Sequence, residues 1–336
     1  MKTKALMPGI FIAVITGLAA LFLSEHYGAP AMLFSLLLGI ALSFLHQETK
    51  CQAGIEFTAS TVLRVGVALL GFRIAFDDLV SLGWETGLLL IVAIFTTIGF
   101  GILLSRAMGL TKTFGALTGG SVAICGASAA MAISAILPNS ENKERDTLLT
   151  IIGVTSLSTI AMVAYPIVAN AFGLTEYQTS IFLGGTIHDV AQVVGAGYSV
   201  SEQTGDLSTL VKLVRVSFLM PVVLMMILAI NAEYKARKTL SNSEGLANSD
   251  KSSPGFPQFL IAFIVIMAIN SLVDLPQVVT ETATTVSRFA LVISIAAIGM
   301  KSNLAKLTCV GIKPIVLMIA ETLWIALFIL IALLCL

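Results

Sequence analysis

G-F-R-I-A-F-D-D-L-V-S-L-G (Gly71–Gly83) is echoed by G-M-K-S-N-L-A-K-L-T-C-V-G (Gly299–Gly311). The two stretches share glycine at both ends, a base in third place (Arg73, Lys301) and leucine in ninth (Leu79, Leu307). Each follows one long apolar run and precedes another. If they lie on opposite sides of a membrane, they mark an inverted repeat, the build of many secondary transporters. The bland alternative is a generic helix-end pattern, with glycine caps and basic residues at the interface.

Composition points the same way. Apolar residues make up 57% of the chain and charged residues 11%, against roughly 45–50% and about 25% in soluble proteins. Lipid is the solvent that tolerates such a surface, and a helix needs about 20 mostly apolar residues to cross it. The expected fold is all-α: a polytopic membrane helical bundle with inverted-topology repeats and interrupted helices. The formal net charge of +0 argues against a nucleic-acid partner. Cys51, Cys125, Cys309 and Cys335 are scattered, with neither metal-ligand spacing nor a disulfide framework. No cofactor is expected.

Eleven apolar spans are predicted, at roughly 7–24, 30–46, 57–76, 86–105, 114–137, 148–170, 177–198, 211–231, 257–273, 282–300 and 313–335. They form a single transmembrane domain over 1–336, with the Ser-, Asn- and Gly-rich stretch 239–256 as a flexible cytoplasmic linker. The first span reads as a retained helix rather than a signal peptide, because Ala29-Pro30-Ala31 is a poor cleavage site. The fifth and seventh spans are the least regular and read as interrupted or re-entrant. Lys and Arg gather on one set of loops (Lys2, Lys50, Arg106, Lys112, Arg237, Lys313), which places the N-terminus in the cytoplasm and the C-terminus outside. The segment 138–147 is an exception, since Lys143 and Arg145 then fall outside. With this orientation, Gly71–Gly83 is external and Gly299–Gly311 internal.

Three places could carry chemistry. In L-T-G-G-S-V-A-I-C-G-A-S-A-A (117–130), Gly119, Gly120 and Gly126 with Ser121, Cys125 and Ser128 sit where a spanning helix should be apolar. Glycines ease unwinding, and the released amides and hydroxyls then need a polar partner; tight packing through small residues is the alternative. In G-G-T-I-H-D-V-A-Q-V-V-G-A-G (184–197), His188, Asp189 and Gln192 fall within one span. A charge at membrane depth costs at least about 2.5–3.5 kcal/mol, so Asp189 should face protein or water. His188 suits a proton relay, while Asp189 could simply cap a half-helix. Third are Arg64, near the middle of its span, and Arg288, nearer a span end. A guanidinium forks onto an oxyanion, but Arg64 could equally serve an internal salt bridge and Arg288 could snorkel. Lys212, Arg215 and Arg73 read as interface anchors. No G-x-x-x-x-G-K-[ST] loop, His–Cys cluster or G-x-S-x-G elbow is present, so neither ATP-driven transport nor a known catalytic motif is supported.

At these motifs the chain resembles the YeiH-like sulfate exporter family of bacterial inner-membrane proteins. The resemblance rests on G-G-S-V-A-I-C-G-A-S-A (119–129), G-G-T-I-H-D-V-A-Q-V-V-G-A-G (184–197), the Arg64–Arg73 block and A-A-I-G-M-K (296–301). It runs from about the second span to the last. The resemblance implies a cation/proton-antiporter-like fold, with a core and a scaffold built from inverted repeats and crossing broken helices, in the bacterial plasma membrane. Under eleven spans, however, the two glycine-rich segments run parallel, whereas repeat-related helices should be antiparallel. Either one is re-entrant, or the second crossing helix is span ten, or the count is wrong.

The favoured reading is an ion-coupled secondary transporter of a small oxyanion or sulfonate, possible as an exporter, and not an enzyme. Arg64, Ser121, Cys125, Gly126, Ser128 and Gln192 would bind substrate, and His188 and Asp189 would handle a coupling H⁺ or Na⁺. The expected partners are a small anionic solute, the coupling ion and the bilayer; a homo-oligomer is compatible with the chain. The alternatives are a cation/proton antiporter built on Asp189 and a membrane enzyme using His188 and Asp189.

Overall fold

The computed structural model describes residues 2–27, 31–73, 76–138, 142–240, 258–273, 275–301 and 312–335. These residues form helices and their connections, with no strand among them. In chain order the helices are α1 (Lys2–Tyr27), α2 (Ala31–Ala41), α3 (Thr49–Phe57), α4 (Leu63–Leu69), α5 (Phe76–Ser81), α6 (Gly83–Ala107), α7 (Lys112–Ala123) and α8 (Ala127–Ile136). There follow α9 (Lys143–Ala171), α10 (Glu176–Thr186), α11 (Val190–Val200), α12 (Glu202–Ser217), α13 (Leu219–Leu240), α14 (Gln258–Leu272), α15 (Gln277–Lys301) and α16 (Ile312–Cys335). Among the described residues, seven helical segments are long and apolar enough to cross a membrane, two of them composite: Thr49–Phe72 and Glu202–Ile230. The protein is a polytopic helical membrane protein. Large apolar side chains such as Phe11, Phe22, Leu103, Ile167 and Leu327 point outward, as lipid contact requires. Several buried hydroxyls are satisfied within their own helices: Thr97 donates to Ala93 O at 2.6 Å, and Thr186 to Phe182 O at 2.6 Å.

Two bundles make up the molecule. The first contains α1 to α4, α14 and α15, drawn together wherever glycine removes a side chain. A Cβ on Gly9 or Gly54 would strike the facing backbone of α3 or α1, and Gly39 and Gly299 meet in the same way between α2 and α15. Ser35 Oγ donates to Val292 O at 2.6 Å and Ser287 Oγ to Gly66 O at 2.7 Å, tying α15 to α2 and α4. The second bundle holds α6 to α12 and α16. The two meet where α11 packs on α2 and α15.

The second bundle corrects the predicted span count. The turn from α6 to α7 lies at the end of the bundle where α16 begins, since Lys313 Nζ donates to Met108 O at 3.2 Å. The helix α8 ends at the same place: Thr113 and Phe114 share a pocket with Leu137 and Pro138. A Cβ on Gly120 would collide with Ile133 on the far side of the break. In collinear half-helices these residues would lie about 20 Å apart, at about 1.5 Å per residue. The pair α7–α8 is therefore a re-entrant hairpin, not the fifth crossing.

The seventh span is likewise a hairpin, from the opposite face. The helix α10 starts beside the far end of α16, with Gln178 Nε2 donating to Leu333 O at 3.1 Å and the Tyr177 hydroxyl to Leu82 O at 3.0 Å. Its second arm, α11, returns to that face, where Tyr198 and Ser201 line a cavity with Arg73. Gly184 and Gly197, on the two arms, both abut Ser208 of α12. Among the described residues, two hairpins, seven helical segments of membrane-crossing length and the shorter apolar helices α2 and α14 stand where eleven spans were predicted. Because the hairpins face each other, the parallel arrangement implied by eleven spans disappears.

The linker stretch beyond Leu240 and most of Gly299–Gly311, including Lys306 and Cys309, lie outside the described residues.

Candidate functional site

The hairpin tips meet inside the second bundle. The helix α7 stops at Ala123, and the chain turns through Ile124 and Cys125 to Gly126, whose φ of 64° suits glycine. The helix α10 stops at Thr186, and the turn Ile187–Asp189 leads into α11. A Cβ on Gly126 would lie 3.5 Å from His188 Cβ, so the two turns touch.

Both α7 and α10 end with their carbonyls at this junction, away from water, and each needs a donor. A neighbouring helix, α12, supplies them. Lys212 Nζ donates to Ile124 O at 2.7 Å and to Ile187 O at 2.8 Å. One turn on, Arg215 donates from Nε to Ala123 O at 2.6 Å, from Nη1 to Ile187 O at 3.0 Å and from Nη2 to Val122 O at 2.5 Å. Both side chains are fully buried. They oppose the negative ends of two helix dipoles and bolt the hairpins to one support. The bend after Arg215, at Phe218, has a sequence cause: Pro221 cannot donate to Ser217 O.

The other arms begin at the junction and bring their positive ends to it. The helix α11 is capped by Asp189, whose Oδ1 accepts from Ala191 N at 3.2 Å. Ser158 of α9 accepts from the amides of His188 and Asp189, each at 3.2 Å. At α8 the cap is Gly126, which has no side chain to offer; the Cys125 thiol faces the Ala129 amide. Two helix N-termini and two basic side chains thus converge, with Asp189 as the carboxylate beside them. Among the described residues, no group of three or more His, Cys, Asp or Glu could hold a metal ion.

Most of the residues expected from the sequence gather here. His188 is fully buried, with Nε2 3.0 Å from Thr322 Oγ1 of α16. Gln192 Nε2 donates to Thr159 Oγ1 at 2.9 Å, and its Oε1 is buried without a partner. Cys125 is buried in the first turn, and Ser121 bonds back to Leu117 O of its own helix at 2.5 Å. Ser128 lies on an exposed face of α8 with Met131. Arg64 is not brought to the junction. A π turn at Thr58–Val62 precedes α4, whose buried face runs through Leu63, Gly66 and Val67, so Arg64 points outward from the first bundle.

Three residues that reading by sequence passed over are central. Lys212 and Arg215 are not interface anchors but the clamp itself; the available signal was two bases one turn apart in L-V-K-L-V-R-V. Glu321, in the middle of an apolar span, bonds to Thr118 of α7, while its neighbour Thr322 bonds to His188. Adjacent residues of α16 therefore hold one hairpin each.

At the face where α10 and α11 begin and end, a cavity of about 310 Å³ opens between the bundles, lined by Arg73, Arg288, Tyr198, Ser201, Glu202 and Thr284 among others. Arg73 pairs with Asp206 at 2.7 Å and Glu202 at 3.0 Å, and Arg288 reaches the same Glu202 at 3.3 Å. Burial works against the Arg73 charge, yet Asp206 and its acidic surroundings hold its pKa above the usual arginine value. Arg73 and Arg288 thus pair with carboxylates of α12 across the bundle interface, where sequence suggested an anchor and a snorkelling side chain.

Opposed re-entrant hairpins pinned at their tips define a class of membrane protein in which broken backbone is kept inside protein at mid-depth. Residues 8–318 match the family model described as conserved hypothetical protein 698, and the chain belongs to that family. It is 49% identical over 329 residues to the UPF0324 membrane protein CT0845 of Chlorobaculum tepidum, covering 96% of this chain and 88% of the relative. It is 51% identical over 325 residues to the UPF0324 membrane protein TauZ of Paracoccus pantotrophus, covering 96% and 93%. To RB0971 of Rhizobium meliloti it is 51% identical over 323 residues, covering 96% and 91%. No solved structure matches the chain.

Proposed function

We propose that the protein is a secondary transporter of a small inorganic oxyanion or sulfonate, and that it acts by moving this solute past the hairpin junction rather than by catalysis. One observation carries the reading: Lys212 and Arg215 bridge the carbonyl ends of α7 and α10 while α8 and α11 point their N-termini at the same place. With those carbonyls matched by the clamp, the field of the two N-termini and of Arg215, which stays protonated, is left to attract an anion. Gln192 Oε1 and the α8 first turn lie beside it. A cation site on Asp189 fits less well, because Asp189 is engaged as a helix cap next to that field.

Charge bias supports a cytoplasmic N-terminus, and the bacterial relatives support a bacterial plasma membrane. With the first hairpin re-entrant, Lys143 and Arg145 move to the cytoplasmic side, and the exception to the positive-inside pattern disappears. The opposed hairpins also favour an inverted repeat, in which the junction faces each side in turn. A ligand that binds the folded protein raises its melting temperature. Sulfate, sulfite or methanesulfonate should therefore stabilise the purified protein where matched Na⁺ titrations do not. Stabilisation by Na⁺ alone would reverse the assignment.

A further inference from the structure

We propose that Glu321 carries the proton to which substrate movement is coupled; this rests on the transport reading above. The carboxyl lies near the middle of α16 and is fully buried. It fills a gap made by Gly101 of α6, where a Cβ would collide with it, and faces Thr118 of α7. Oε1 is 2.7 Å from Thr118 Oγ1, and Oε2 is buried with no hydrogen-bond partner. No ion pair to Glu321 is seen among the described residues.

The hydrogen count at Thr118 favours a neutral acid in this conformation. Its hydroxyl has one proton and three oxygens within reach, Phe114 O at 3.1 Å, Gly115 O at 3.4 Å and Glu321 Oε1 at 2.7 Å. If Glu321 is protonated, it donates to Thr118 Oγ1, Thr118 donates to Phe114 O, and Oε2 is left as a carbonyl oxygen. If Glu321 is ionised, Thr118 must abandon Phe114, and a charged oxygen stays buried with nothing to bond it.

The surroundings offer no alternative counter-charge. The helices packed on α16 are α6, α7, α9 and α10. Their charged residues, Glu85, Arg106, Lys112, Lys143, Glu144, Arg145, Asp146 and Glu176, all lie in terminal turns. On α16 itself Lys313 is at the start. Of the buried titratable groups nearby, Tyr165 of α9 packs on Phe182, and His188 reaches the next residue, Thr322. Because α16 holds α7 through Glu321 and the second hairpin through Thr322, movement of the hairpins changes what this carboxyl faces. The proton leaves as H⁺ to water when the joint opens toward one side of the membrane, giving a carboxylate, and a proton is taken up from water on the other side before the joint closes again.

The test uses full-length wild type and Glu321→Gln in proteoliposomes, with radiolabelled sulfate, sulfite and methanesulfonate. Exchange at equal pH and equal concentration reports binding and passage; accumulation under a pH gradient reports coupling. Glu321→Gln should exchange at the wild-type rate while its accumulation ratio falls to unity, and Glu321→Asp should accumulate with a shifted pH profile. Accumulation by Glu321→Gln equal to wild type overturns the assignment. Loss of exchange in a stably folded Glu321→Gln also overturns it, by placing the residue in the anion path. Should Glu321→Gln not fold, a Glu321→Asp profile identical to wild type would refute the role. Wild-type protein that neither exchanges nor accumulates any of these anions overturns the transport reading itself.

Discussion

Lys212 and Arg215, one turn apart on α12, share a single acceptor: the carbonyl oxygen of Ile187 lies 2.8 Å from Lys212 Nζ and 3.0 Å from Arg215 Nη1. Each also holds the end of α7, through Ile124 or through Val122 and Ala123. Two hairpins entering from opposite faces are thus joined through one short segment of a third element. Burying two bases is costly unless their hydrogen bonds are complete. Five such bonds to backbone oxygens are what make this placement tenable.

Lys212→Met should therefore be strongly destabilising. It removes the Lys212 donor from the carbonyl of Ile124, while Ile187 O keeps only Arg215, at about 1–3 kcal/mol for a buried group that finds no replacement. Arg215→Lys should lower the melting temperature as well, since a single amine cannot span three carbonyls on two hairpins. Thermal unfolding in detergent measures both. Melting temperatures equal to wild type would show that the clamp does not support the junction.

Gly126→Ala tests the first turn. Space is available, with the nearest atom at ordinary contact distance, so the cost is the backbone, at about 1–3 kcal/mol for a side chain held at positive φ. Gly87→Ala is the control, because a Cβ there meets nothing within 4 Å. Unfolding should separate the two variants, with Gly87→Ala close to wild type.

The hairpins make a topological prediction. Single cysteines at Thr113 and Pro138, in a background lacking the native cysteines, should react with a membrane-impermeant maleimide from the same side. Cysteines at Thr175 and Glu202 should react from the other. Eleven crossings would instead put Thr113 and Pro138 on opposite sides, and labelling in that pattern would remove the hairpins from the account.

Arg64→Ala should leave anion-dependent stabilisation unchanged, because that side chain points outward from the other bundle. Loss of the anion response in folded Arg64→Ala protein would bring it back into the site.

The helical fold and the two breaks were legible because glycine and polar residues stand out in apolar spans. The Gly119–Ser121 and Gly184–Thr186 runs, with His188 and Asp189 beside the second, mark segments that do stop short. Sequence left interruption and re-entrance open, since each arm pair has the length and hydropathy of one crossing, and contacts such as Gly120–Ile133 and Gly184–Ser208–Gly197 distinguish a fold-back from a kink. Lys212 and Arg215 were misjudged for a related reason. Their depth depends on where α12 starts, at Glu202, and that start lies well before the apolar run resembling a span. Arg64 failed the other way: its depth was read from position along the helix, whereas a π turn and α4 packing decide which way it faces.

The most direct measurement is solute flux into vesicles containing the purified protein, with labelled sulfate, sulfite, methanesulfonate and Na⁺ compared under the same imposed pH gradient. At least one of the three anions should move faster than into protein-free vesicles, with no protein-dependent Na⁺ movement. Protein-dependent Na⁺ flux with all three anions at background would contradict an anion pathway through the Lys212–Arg215 junction.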